Sequence, residues 1–456
     1  MNRQSGRGRP VTAAVCAVAA WGALAALPGQ AWAAADPSGY VFAPDAVTVT
    51  GEEANADAAF LTADKVYRSS IGPGQKLYYR VTLDAGSDAY VSAVAVPRDP
   101  AGKVAYGDGI TVSIRDDNDV RCGSESANFG AGEFARPITA YGFRENDPDG
   151  SSCQRAGTYD VLVERDSKET SSQEIWDLEL RHAVEPALKS PGSMPTGAPE
   201  DFPSESPAPL PTSAPRGERA GGSGYFDATG LETGEWKDSV APGRTRFFRV
   251  PVDWGQQLWA TAEISNDNSS DAYVGSALVL SADNPALGHV DSAALSYSGR
   301  PATAALSPLP PVDHANRNSS ATRVSAMRYA GWYYLSVGLS PAVAEAYGDD
   351  PIRITLKVRV ENAAEESPYQ GGAGIFGVDD DDREMARNGQ SAADAGRDGT
   401  LMIVGVAGIG VGTVLVLGLG AWTLLARRAA GAVAVPDRGR TEPRLSEPYG
   451  GRPPGR

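Results

Sequence analysis

The sequence predicts an all-β protein: a β-sandwich or barrel built twice, followed by one transmembrane helix near the C-terminus. Three observations predict it. Many short segments alternate apolar and polar residues between Gly, Pro, Asp and Asn turns, and no sustained helical period appears outside two apolar runs. The stretch Ile71-Gly-Pro-Gly-Gln-Lys-Leu-Tyr-Tyr-Arg-Val-Thr-Leu83 returns as Val240-Ala-Pro-Gly-Arg-Thr-Arg-Phe-Phe-Arg-Val-Pro-Val252, and Ala156-Gly-Thr-Tyr-Asp-Val161 returns as Ala330-Gly-Trp-Tyr-Tyr-Leu335. Finally, Leu401 to Leu425 carries no charge and is longer than the roughly 20 residues that cross a bilayer as a helix.

Taken in order, the chain opens on Arg3, Arg7 and Arg9, the apolar run Val11 to Leu27, a Pro28-Gly29 break and small residues at Ala31, Ala33 and Ala35. That is a cleaved secretory signal, residues 1–35. A first β domain spans 36–186. In it Leu77, Tyr79, Val81 and Leu83 alternate with Tyr78, Arg80 and Thr82, giving one apolar and one mixed face. Tyr159, Val161 and Val163 alternate after a Gly turn, and Trp176, Leu178 and Leu180 form a further strand. Cys16 leaves with the signal, so Cys122 and Cys153 remain, and in an exported protein such a pair bridges. The loop closed is about 30 residues, worth roughly 3–4 kcal/mol in the loop-entropy picture.

Eight prolines between Ala187 and Gly224 make residues 187–224 an extended linker that should let the two domains unfold separately. The second β domain spans 225–364 and ends on Ile352, Ile354, Leu356 and Val358. Pairing the repeats places Tyr79 with Phe248 and Tyr159 with Tyr333 in equivalent cores, and Tyr90 opposite Trp259. Residues 365–400 hold Gly371-Gly372 and the run Asp379 to Asp382, and read as a flexible, solvated juxtamembrane segment. The helix 401–425 follows. The tail 426–456 carries seven Arg against three acids, which places it in the cytoplasm and everything before the span outside the cell membrane.

These residues resemble the prepeptidase C-terminal domain family. A turn precedes an aromatic strand of the type Leu77-Tyr78-Tyr79-Arg80-Val81, then comes a late Ala156-Gly157-Thr158-Tyr159-x-Val161-x-Val163 strand, then a final alternating strand. The resemblance covers both repeats. It implies small jelly-roll-like β-sandwiches of the kind appended to secreted bacterial proteases and surface proteins, non-catalytic, some binding calcium, collagen or polysaccharide. No protease domain accompanies them in this chain.

Little else points to chemistry. The net charge is −16 and both ends of the chain are basic, so the exported part is more acidic still, which argues against nucleic acid as a partner. The three histidines, His182, His289 and His314, lie in no Gly-x-Ser-x-Gly elbow and no His-Glu-x-x-His helix. Calcium is the one cofactor the residues suggest. Asp116, Asp117 and Asp119 cluster before Cys122, and Asp147 and Asp149 before Cys153, offering oxygens on turns; ordinary acidic turns are the alternative. Gly408 and Gly412 have the small-xxx-small spacing of a helix–helix contact, with plain glycine tolerance as the alternative. The expected protein is therefore a non-catalytic cell-surface binding or structural protein, or an accessory subunit of an envelope complex, with a protein or polysaccharide partner outside. The alternatives are an envelope hydrolase with an unrecognised site, or a carbohydrate-binding protein using Trp236, Trp254 or Tyr297 as an aromatic platform.

Overall fold

The computed structural model describes residues 39–395, except 133, 147–149, 191–194, 196, 198, 200, 201, 206 and 208. The signal, the span with Gly408 and Gly412, the tail, Asp147 and Asp149 lie outside the described residues. Among the described residues no helix is long and apolar enough to cross a membrane. The described fold is all-β and sandwich-like.

The first half runs β1 (Val47–Thr48), β2 (Val66–Ile71), β3 (Lys76–Leu83), β4 (Ala89–Pro97), β5 (Gly109–Arg115), β6 (Arg121–Asn128), β7 (Ile138–Arg144), β8 (Gly157–Asp166) and β9 (Trp176–Val184). The second runs β10 (Arg216–Glu218), β11 (Thr229–Gly230), β12 (Gly234–Val240), β13 (Thr245–Val252), β14 (Gln257–Ile264), β15 (Val274–Asp283), β16 (His289–Tyr297), β17 (Ala302–Ala305), β18 (Gly331–Leu339) and β19 (Ile352–Glu361). Strand order in the second half is β10-β12-β19-β14-β17 and β11-β13-β18-β15-β16. The first half has the matching orders β1-β2-β9-β4-β7 and β6-β5-β8-β3, joined into one sheet by a single pair, Ser124 with Gly142.

The duplication extends to the register. On β3 and β8, Tyr79 faces Val161 and Val81 faces Tyr159; on β13 and β18, Phe248 faces Leu335 and Val250 faces Tyr333. Tyr90 faces Ala183 as Trp259 faces Arg359. Even the irregularity repeats, between Ile114 and Arg115 on β5 and between Ala282 and Asp283 on β15. The four paired aromatics are all buried. The Tyr159 hydroxyl donates to the Arg155 carbonyl at 2.6 Å, and the Tyr333 hydroxyl to the Tyr329 carbonyl at 2.8 Å, four residues upstream in each case. The turn before each aromatic strand is set by Gly74 (φ 68°) and Gly243 (φ 72°), whose positive φ a type II turn requires and which each follow a proline.

The linker begins its repeat earlier than residue 225. Arg216–Glu218 pairs parallel with β12, as β1 pairs parallel with β2, and Gly222 bridges Phe247 as Glu52 bridges Tyr78. Backbone pairing of this kind needs no apolar side chain, so Arg-Gly-Glu left no pattern to read. The prolines that precede it do not free the halves either, because residues through Asp394 form one compact unit. Strand β4 shows how. All nine of its residues are buried. Ala89, Val91, Ala93 and Ala95 face the first core, whereas Tyr90 joins the core of the second half, and Val94 and Val96 pack with Phe247 and Leu287. Successive residues of a strand face opposite sides, so β4 is covered on both. Its counterpart β14 carries the partly exposed Trp259, Thr261 and Glu263 on that outer face.

Residues 365–395 are folded rather than a flexible spacer. Tyr369 is buried and bridges Leu188, and Phe376 is buried in the second core. After two short helices, α1 (Thr322–Ser325) and α2 (Ala342–Tyr347), the chain forms α3 (Asp380–Asn388). The aspartate run starts it: Asp379 caps the backbone N–H of Asp382, and Asp382 returns the bond in a capping box. Acids at this end complement the helix dipole. Asp382 also accepts from the Trp332 indole at 2.7 Å, Arg383 pairs with Asp253 at 2.6 Å, and Arg219 donates to the carbonyls of Arg387 and Asn388 at the far end.

Candidate functional site at the seam between the halves

Glu185, just past β9, is the hub of the seam. Its carboxylate accepts from Tyr90 at 2.8 Å, from Tyr369 at 2.7 Å and from Arg317 at 2.6 Å, with His314 Nε2 3.5 Å away. Arg317 and His314 sit in a short 3-10 turn, His314–Asn318, capped by Asp313. The other arm of Arg317 reaches Asp88 at 2.8 Å, and Asp88 also accepts from the Asn146 N–H. Burial alone would raise the Glu185 carboxyl, but Arg317, His314 and the two tyrosine hydroxyls hold it at about 2. Asp88 goes the other way, to about 6, chiefly by burial and then by the charge of Glu185. Beside this hub Arg328 pairs with Glu145, and Tyr90 packs edge-on against Tyr141 and Tyr329 with ring centroids 5.7 and 5.2 Å apart.

A second polar cluster borders the same seam. Asp283 accepts from the Tyr225 hydroxyl at 2.7 Å and lies 3.2 Å from His289 Nδ1. Burial, partly offset by Tyr141, Arg328 and His289, raises the nearby Glu125 to about 7. Burial lowers His289, but Asp283, Glu125 and Asp291 together hold it above its ordinary value. The pair borders a cavity of about 360 Å³ between the halves. In the first half the counterpart positions are Arg115 and Arg121, so the acid–imidazole pair is not demanded by the fold. Among the described hydrogen bonds His289 has Asp283 as its partner and no hydroxyl.

The residues singled out in the sequence are mostly engaged elsewhere. Cys122 and Cys153 form the disulfide. Asp116 accepts from the backbone N–H groups of Asn118 and Val120, Asp117 pairs with Arg155, and Asp119 pairs with Arg115. These three carboxylates close a hairpin and do not converge, and no cluster able to hold a metal occurs among the described residues. His182 is buried with Nδ1 3.0 Å from the Leu61 carbonyl. Trp236, Trp254 and Tyr297 are all buried in the second core and form no exposed platform. Sequence reasoning missed Asp88, Glu185, Arg317 and Arg328. Glu185 and Arg317 are 132 positions apart, and no local period links residues at that distance.

No family model matches the chain, and no curated protein matches it. Solved structures show only remote likeness. The cowpea mosaic virus top component is 10% identical, with 74% of this chain and 98% of that one covered at a TM-score of 0.17. The complex of plant peptide RALF23 with FER and LLG2 is 8% identical, with 69% and 95% covered at 0.19. The CBM22 tandem of Paenibacillus barcinonensis Xyn10C is 8% identical, with 70% and 100% covered at 0.16. At these scores they carry no argument about fold or function.

Proposed function

We propose that the chain is a non-catalytic exported surface protein, two jelly-roll-like sandwiches locked into one binding or structural body and anchored by the helix 401–425. The observation that carries this reading is Glu185. It gathers Tyr90, Arg317 and Tyr369 from three separate segments. Charge is spent there on rigidity, not presented to an open site. A body of this kind suits an accessory subunit or a module that holds a protein or polysaccharide partner outside the membrane. The test is cross-linking of the intact protein in its own membranes. A stoichiometric partner that is lost when Glu185→Gln loosens the seam supports the reading.

A hydrolase is the second reading, favoured by the His289–Asp283 pair at the 360 Å³ cavity. Turnover of ester, peptide or glycan substrates by the purified protein, abolished in His289→Ala, would put the hydrolase first.

A further inference from the structure

We propose that a second cavity at the seam, walled by Arg136, Arg244 and Arg246, binds an oxyanion, a carboxylate or a phosphoryl group carried on a compact body. The cavity measures about 310 Å³, within the usual range of small-ligand sites. Three arginines line it, and its described lining holds no acidic residue, in a chain of net charge −16. It exists only because the halves dock. Arg136 comes from just before β7, Arg244 from the turn into β13 and Arg246 from the start of that strand.

Arg136 states the need for an anion most clearly. Its guanidinium donates to the carbonyls of Phe134 at 3.2 Å and Phe129 at 2.9 Å, and lies over both rings. No carboxylate pairs with it among the described residues. Burial pushes it down to about 10. A guanidinium has five N–H donors, and the two carbonyls do not use all of them. Arg246 is held by the Ser239 carbonyl at 3.1 Å and only loosely by Asp238, at 3.6 Å. Planar forks of this kind match carboxylate and phosphate oxygens two at a time. Tyr40 and Phe247, edge-on with centroids 5.8 Å apart, supply an apolar wall for the body that bears the charge.

The duplication supplies an independent argument. By the shared register the first half carries Gln75 and Leu77 where the second carries Arg244 and Arg246. The fold does not require arginine at either place. This site stands apart from the surface-protein reading, which rests on Glu185.

The experiment uses the full chain in detergent, titrated calorimetrically with inorganic phosphate, with D-glucuronate and with glucose as the neutral control. Saturable binding of at least one anion is expected, weaker at high salt, with none for glucose. The preferred probe tells a phosphoryl from a carboxylate source. Arg136→Gln should weaken binding roughly 10- to 100-fold, the worth of a charged hydrogen bond. Arg136→Lys keeps the charge but not the fork and should weaken it less. Arg246→Gln leaves the Phe129 and Phe134 contacts in place and should also weaken binding, so it decides the matter if Arg136→Gln does not fold. Absence of saturable binding by both anions, or binding unchanged in Arg246→Gln and in the folded Arg136 variants, overturns the proposal.

Discussion

Arg317 Nη2 lies 2.6 Å from Glu185 Oε1, joining the two halves across 132 positions of sequence. Both side chains are largely buried, at 13% and 3% exposure. Removing one partner of such a pair leaves the other charged and desolvated. Arg317→Met should therefore cost about 3–5 kcal/mol in urea unfolding. The double variant Arg317→Met with Glu185→Gln should recover part of that loss. A double variant whose loss equals the sum of the two single losses would show that the pair is not coupled.

Phe248 tests whether the halves unfold together. It is 1% exposed, and its core also contains Tyr90 and Tyr141 of the first half. Phe248→Ala should cost about 3–5 kcal/mol. With a shared core, calorimetry should show one transition moving down for the whole body. Two transitions, with the first half unchanged, would restore the independent domains that the linker suggested.

The seam also sets a pH dependence. Glu125 and Asp88 are raised in the fold, to about 7 and about 6. Their contribution is fully present below the unfolded carboxylate range and is lost as pH rises through 6 to 7. Glu185 is lowered to about 2, so its contribution is present above the unfolded value and is lost as pH falls toward 2. Stability should therefore be greatest near about pH 4 to 4.5, where Glu185 is already ionised and Asp88 and Glu125 have not begun to lose their contribution, and should fall from there toward pH 7. Glu125→Gln should raise the melting temperature at pH 8 and flatten the fall between pH 5 and 8. An unchanged slope would remove Glu125 from the account.

The disulfide gives a simpler prediction. Cys122 and Cys153 should resist alkylation until reductant is added. Replacing both with Ser should cost about 3–4 kcal/mol for a loop of 31 residues. Full alkylation of unreduced protein would refute the bridge.

The strands of both halves were legible in the sequence because their physics is local. A Pro-Gly turn followed by alternating residues specifies a strand and its buried face, and the likeness of Tyr79 to Phe248 and Tyr159 to Tyr333 carried the register with it. The disulfide was legible for a related reason, since the two cysteines left after the expected signal allow one pairing. The seam was decided by the tertiary structure alone. Its hub joins side chains more than 90 positions apart, and the capped helix α3 reads as a spacer until Trp332 and Asp253 are seen against it. One trace of the seam was present all the same. Ala89 to Pro97 is apolar on nearly every residue where β14 alternates, and a strand needs both faces apolar only when both are covered. What covers the second face is a long-range contact, and no period in the sequence encodes it.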